Sequence, residues 1–310
     1  MSVALTPSRV RARVDGTVQG VGFRPFVFRL AEEIGLGGYV LNDERGVVLE
    51  VEGDAPALER FFGRLRTEAP PLATVERVSR EAVAPRAERE FSIVESERHG
   101  QASAPVSPDA ATCDDCLREL FDPGDRRFRY PFVNCTNCGP RFTIVRGVPY
   151  DRPLTTMAGF EMCDACLAEY RDARDRRFHA QPNACPRCGP SVRLLDAGGA
   201  AVRLAPAAGD AVAAAAAALV GGAIVAVKGI GGYHLACRAD LEVAVATLRT
   251  RKHREDKAFA LMAPSLAHAQ TLVTLSAGEA DLLGSPGRPI VIAPRRSGAA
   301  VAESVAPRSA

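Results

Sequence analysis

Eight of the nine cysteines in this 310-residue chain fall into four C-x-x-C pairs: Cys113/Cys116, Cys135/Cys138, Cys163/Cys166 and Cys185/Cys188. Stretches of 18, 24 and 18 residues separate the pairs. Two thiolates on one tight turn supply half of a tetrahedral zinc shell, and two such turns close it. Eight cysteines therefore make two full sites, a structural arrangement, since no coordination position stays open for substrate. An extracellular disulfide framework would scatter its cysteines at mixed spacings, and a disulfide exchanger needs fewer than four pairs. Paired thiols point instead to metal in a reducing compartment. Cys237 stands apart and reads as a small buried apolar residue.

The cysteine segment is an internal repeat with an offset of fifty residues. CDDCLRELFDPGDRRFRYPFVNCTNCGP and CDACLAEYRDARDRRFHAQPNACPRCGP agree at fourteen of twenty-eight positions. A duplicated module should do the same chemistry twice. That assigns Cys113, Cys116, Cys135 and Cys138 to one ion and Cys163, Cys166, Cys185 and Cys188 to the other. A crossed arrangement, outer pairs with outer pairs, satisfies the same counts. His179 corresponds to Arg129 in the first half, which favours a non-ligand role. Between residues 113 and 190 there are twelve arginines, eleven acidic residues and no lysine, against a nucleic-acid ribbon.

Composition bounds the rest. Thirty-nine Lys and Arg against 37 Asp and Glu leave +2, which excludes a generally polybasic nucleic-acid or membrane-surface binder. No apolar run is long enough to span a bilayer, and MSVALTPSRVRARV lacks a signal core, so the chain reads as cytoplasmic. Composition shifts divide it into residues 9–97, a cysteine module at 106–193 and an Ala/Gly-rich α/β segment at 205–310. The stretches ERHGQASAPVSPDAAT and LLDAGGAAVRLAPAAGD read as linkers.

In the first segment, alternating Val10, Ala12 and Val14 predict a strand, and RPFVFRLAEEIGLGG predicts a helix with Phe28, Ala31 and Ile34 on one face. The strands GYVLN and GVVLEVEG, a second helix over APALERFFGRLRTEAP and strands near Val75 and Phe91 complete a β-α-β-β-α-β, ferredoxin-like order. The loop Gln19, Gly20, Val21, Gly22, Phe23 precedes the first helix. Its backbone N–H groups can gather on an anion where the helix dipole favours one. Arg24 adds a planar cationic fork, and Asn42 closes the second strand with an amide suited to holding a water.

In the third segment, DAVAAAAAALVGG reads as an Asp-capped helix, AIVAVK as a strand and KGIGGYHLAC as a glycine loop. A helix from about Asp240 to Lys252 follows, then strands in AFALMA and PIVIAPRR. Lys228, Lys252, Arg254 and Lys257 are the cationic candidates for a triphosphate cradle. The tail SGAAVAESVAPRSA shows no closing strand, so this domain is expected to be incomplete.

These motifs carry a family resemblance. Residues 9–97 resemble an acylphosphatase domain, whose V-Q-G-V-G-F-R signature stands unchanged here. The resemblance makes Arg24 the phosphate-binding arginine and Asn42 the residue that orients the attacking water. The Pro-Phe after Arg24, the cysteine spacing with NCTNCGPRFTI, PYDRPLTTM and FEMC, and the KGIGGYHLAC and LRTRKHREDKAFALM stretches together resemble the HypF-type hydrogenase maturation carbamoyltransferases. The implied fold is α+β multidomain: a ferredoxin-like acylphosphatase domain, a duplicated four-cysteine zinc-finger module and a truncated YrdC-like α/β domain. The implied activity takes carbamoyl phosphate and, with ATP and Mg2+, forms a carbamoyl adenylate for transfer to the C-terminal cysteine of the partner HypE. The implied cofactors are two structural Zn2+. The chain departs from the family at Ala258, where proline is usual, and lacks the later Ser-x-Asn motif and the transfer domain. Two rival readings are a stand-alone acylphosphatase and a zinc/YrdC-type RNA-binding module.

Overall fold

Val10, Ala12 and Val14 point one way along β1 (Ser8–Thr17) and Arg9, Arg11 and Arg13 the other, so the strand has one apolar and one charged face. It lies antiparallel between β3 (Val47–Gly53) and β4 (Thr74–Val83), with Val14 opposite both Val47 and Val78. A tight turn at Asp43 returns β2 (Gly37–Asn42) along β3, the Asp43 carboxylate accepting from the N–H groups of Arg45 and Gly46. A short β5 (Phe91–Ile93) adds parallel to β2, giving the order β4-β1-β3-β2-β5. The computed structural model describes residues 7–97, 103–204 and 209–307.

Helices α1 (Phe23–Ile34) and α2 (Ala55–Thr67) cover the apolar face, and Phe23, Val27, Leu30, Leu49, Phe61 and Leu65 form its core. The buried stripe of α1 runs through Phe23, Val27, Leu30 and Ala31, and Phe28 and Ile34, on the face the periodicity suggests, are partly buried against the same core. Phe28 sits at the flank, where its ring meets Phe91 at 6.3 Å and Phe178 of the cysteine module at 5.3 Å. On the charged face, Arg9 is buried among Glu50, Glu52 and Glu88 at 2.7–2.9 Å.

The cysteine module packs with this sheet in one compact unit, which gives way to a second unit after Pro190. The expected linker before Cys113 is partly docked: Ser103 and Ala104 both donate to the Glu44 carbonyl, and Asp109 holds Arg141 and Thr143. Residues 98–102 of it lie outside the described residues. Each half of the module starts a helix directly on a cysteine, α3 (Asp114–Phe121) after Cys113 and α4 (Asp164–Arg171) after Cys163. The halves brace each other reciprocally. Buried Arg127 reaches Glu169 at 2.6 Å, Asn183 Oδ1 at 2.9 Å and the Ala184 carbonyl at 2.9 Å. Its repeat partner Arg177 reaches Glu119 and the Asn134 carbonyl in the first half.

In the second unit, Asp210 caps α5 (Ala211–Val220) through the Ala213 N–H at 2.8 Å; residues 205–208, where the third segment was expected to begin, lie outside the described residues. The expected glycine loop is instead a hairpin of β6 (Val225–Gly229) and β7 (Gly232–Ala236), turning on Ile230 and Gly231. Helix α6 (Glu242–Arg251) buries Val245 against Ala302 and Val305, with Cys237 partly buried beside them. Helices α7 (Leu266–Leu272) and α8 (Ala277–Gly284) follow. AFALMA and PIVIAPRR are not strands: among the described residues they join no ladder beyond the isolated Val273–Arg295 bridge, and Met262, Ile290 and Ile292 are exposed. A strand exists only through a neighbour, however β-prone its residues.

Because Arg127 is buried and Glu169 nearly so, removing either leaves a charge without its partner. Burial raises the Glu169 carboxyl, but the Arg127 and Arg126 guanidinium groups outweigh it and hold it down to about 2. Arg127→Ala should cost the metal-loaded chain about 3 kcal/mol in denaturant unfolding. Arg127→Ala combined with Glu169→Ala should cost clearly less than the sum of the two single changes.

Candidate active site and metal centres

The turn before α1 is built on two glycines in the left-handed region, Gly20 at φ 74° and Gly22 at φ 75°. A Cβ on Gly20 would lie 3.2 Å from both Arg141 and the Tyr150 ring. Gly22 caps the helix without any side-chain acceptor. Among the described residues the backbone N–H groups of Gly20, Val21, Gly22, Phe23 and Arg24 meet no acceptor, so the turn presents a row of unpaired donors. Gly20, Gly22, Phe23, Arg24 and Asn42 line one small pocket.

Arg24 is itself buried, and all three of its nitrogens have partners. With the Asn42 amide turned to satisfy its surroundings, Oδ1 accepts from Nε and one terminal nitrogen at 3.2 Å each. That terminal nitrogen also donates to Asp151 at 2.7 Å, and the other reaches Ser96 Oγ at 3.3 Å. The guanidinium and the amide therefore converge on the mouth of the glycine turn. Gln19 and Val21 contribute differently: Val21 is in the core, and the Gln19 side chain donates to the Asp43 and Gly46 carbonyls and accepts from Tyr150 N–H.

The cysteine module forms the opposite wall, with Thr136, Arg141, Tyr150 and residues 179–182. Sequence reasoning missed Asp151, Tyr150 and Arg141, all of them far from the loop in sequence. Arg141 is 1% exposed and spends its guanidinium on five carbonyls: those of Gly20, Cys135, Thr136, Cys138 and Pro140. His179 packs on Tyr170 and Phe178 with ring centroids 4.9 and 4.6 Å apart. Burial and the Arg24 charge, only partly offset by Asp151, lower its imidazole to about 4, so it is neutral at neutral pH.

The cysteines gather by halves: Cys113, Cys116, Cys135 and Cys138 form one cluster and Cys163, Cys166, Cys185 and Cys188 the other. His179 belongs to neither. The three shortest sulfur–sulfur separations are 3.4–3.8 Å in the first and 3.6–3.8 Å in the second, and all lie within 4.8 Å. A zinc–sulfur bond of ~2.3 Å requires tetrahedral edges of ~3.8 Å, so both clusters fit zinc-finger metal binding. The arginine brace also reaches the sulfurs: Arg126 donates to Cys166 Sγ at 3.3 Å and Arg176 to Cys116 Sγ at 3.1 Å. A shell of four thiolates around a divalent ion carries net negative charge, and each half thus supplies cations for the other's shell.

In the second unit, Lys228 lies 5.6 Å from the exposed Tyr233 ring. Lys252 ends α6, and Arg254 is spent on the Lys257 and Ala258 carbonyls at 2.8 and 2.7 Å. Among the described residues no hydrogen bond or ion pair joins Lys228 to the other three. No helix there or elsewhere among the described residues is long and apolar enough to cross a membrane.

The first unit thus has an acylphosphatase-like ferredoxin fold whose glycine turn is walled by a module with two four-cysteine clusters. Family models agree segment by segment: acylphosphatase at residues 10–93, the HypF finger at 112–145 and 162–195, and the Sua5/YciO/YrdC model described as telomere recombination at 217–310. The carbamoyltransferase HypF2 of Cupriavidus necator is 51% identical over 94% of this chain, and the HypF of Synechocystis is 44% identical over 96%. A crystal structure of full-length HypF in its phosphate- and nucleotide-bound form matches 99% of this chain at 43% identity, with a TM-score of 0.91. Over nearly its whole length the chain is thus similar to HypF carbamoyltransferases. It spans 36–39% of the length of these relatives.

Metal analysis should find about two zinc ions per chain, and Cys163→Ser with Cys185→Ser should remove one while leaving the other. Loss of both ions in that variant would contradict two clusters that each close within one half, and bound iron would contradict zinc as their metal.

Proposed function

We propose that the first unit hydrolyses carbamoyl phosphate, the opening reaction of a HypF-type carbamoyltransferase. The observation that carries this reading is the row of unpaired N–H groups from Gly20 to Arg24 meeting the Arg24 guanidinium and the Asn42 amide in one pocket. The N–H groups hold the phosphoryl oxygens, and Arg24 balances the charge that builds on them as the phosphorus is attacked. Asn42 orients a water in line with the bond to be broken. The water oxygen bonds to phosphorus, the phosphorus–oxygen bond to the carbamoyl group breaks, carbamate leaves as an anion and both of the water's protons stay on the phosphate, released as dihydrogen phosphate. Asp151 and Ser96 hold the guanidinium ready before substrate arrives.

The family supplies the later steps of the proposal. A carbamate oxygen displaces pyrophosphate from the α-phosphorus of ATP, with Mg2+, to give a carbamoyl adenylate in the YrdC-like unit, with Lys228, Lys252 and Lys257 as cationic candidates; the C-terminal cysteine thiol of HypE then takes the carbamoyl group, losing its proton as AMP leaves. The eight cysteines would hold two Zn2+ ions, which would fix the knuckles that carry the pocket wall. A reducing cytoplasm keeps those thiols available.

Arg24→Ala should abolish phosphate release from carbamoyl phosphate, a loss of about a thousandfold or more, while circular dichroism and zinc content stay unchanged. Turnover near the wild-type rate would refute the site.

A further inference from the structure

The duplication fixes the backbone at His179 but does not account for its side chain. Its counterpart Arg129 has the same left-handed backbone, φ 58° against 54°. Arg129 N–H donates to the Leu120 carbonyl and His179 N–H to the equivalent Tyr170 carbonyl. The module therefore demands this geometry twice. What differs is the surroundings. Arg129 and its neighbour Phe128 are exposed, whereas Phe178 is 5% exposed against α1 and His179 lines the pocket of Arg24 and Asn42.

The other polar side chains on that wall are committed. Gln181 accepts from Arg152 N–H at 2.7 Å and donates to Tyr170 and the His179 carbonyl; Thr136 donates to the Arg176 carbonyl. Arg141 is spent on backbone carbonyls. Among the described residues neither His179 ring nitrogen has a hydrogen-bond partner, so the imidazole is the one uncommitted polar group facing the turn from the module's side. A neutral imidazole offers one donor and one acceptor.

Building on the acyl phosphate reading, we propose that His179 determines acyl-group specificity: its unprotonated ring nitrogen accepts a hydrogen bond from the amino group of the carbamoyl moiety. With the phosphoryl end fixed by the glycine turn and Arg24, the acyl end projects toward the module's wall. Acetyl phosphate has the same shape but carries a methyl group in place of that amino group, so it gains nothing from the acceptor.

The test compares kcat/KM for carbamoyl phosphate and acetyl phosphate in the metal-loaded full chain. His179→Phe keeps the ring packed on Tyr170 and Phe178 and removes both nitrogens. It should cut the preference for carbamoyl phosphate about tenfold, with acetyl phosphate hydrolysis little changed. Zinc content verifies the fold, and His179→Ala provides the same comparison should the Phe variant lose metal. An equal fall on both substrates, or an unchanged preference, would overturn the role of His179 while leaving the acyl phosphate reading intact. A wild-type chain that hydrolyses neither substrate would overturn both.

Discussion

Arg141 holds the first unit together at the point where its two halves of chemistry meet. A guanidinium with five donors and almost no solvent contact must find acceptors, and it finds them in the carbonyls of a cysteine knuckle and of Gly20. The knuckle is fixed by the first thiol cluster, so the glycine turn is braced from outside by a metal-binding element. The turn itself gains stiffness this way while its own N–H groups stay unpaired. An anion site needs that combination, because donors that are not held in advance pay their ordering cost when the ligand binds.

Duplication explains the rest of the module's design. One finger of this size has too few apolar residues for a core, and its thiolate shell is anionic. Exchanging Arg126 and Arg127 for Arg176 and Arg177 across the pseudo-symmetric interface gives each half its counter-ions and its packing together. The symmetry then breaks at the surface. The second half turns Phe178 and His179 toward α1 and the pocket, while the first half leaves Phe128 and Arg129 exposed. Two copies of one fold thus serve as one structural element and one wall of a site.

Much of this was legible in the sequence because it is local. C-x-x-C pairs, an offset repeat and a glycine turn ahead of a helix each declare themselves within a few dozen residues. The identities of Arg24 and Asn42 came from a signature in the same stretch. Asp151, 127 residues from the arginine it pairs with, lies in PYDRPLTTM, a stretch that carries the family resemblance but declares no role for any one of its residues. Arg141 left one trace: the repeat has Ser191 at the corresponding place, a divergence just after a shared Cys-Gly-Pro. Periodicity placed Phe28, Ala31 and Ile34 against the core, but not the Phe178 ring that also covers Phe28, because it shows which residues avoid water and not which apolar neighbour covers them. AFALMA and PIVIAPRR failed for a related reason, since strand composition counts for nothing until a partner strand is placed beside it.

The most direct test is a titration of the metal-loaded chain with inorganic phosphate, followed by the backbone amide resonances. Residues 20–24 should shift together and saturably, with the Arg24 side-chain Nε–H moving in the same concentration range. Amides of that turn that stay still while others respond, or no saturable response at all, would contradict an anion site built on the glycine turn.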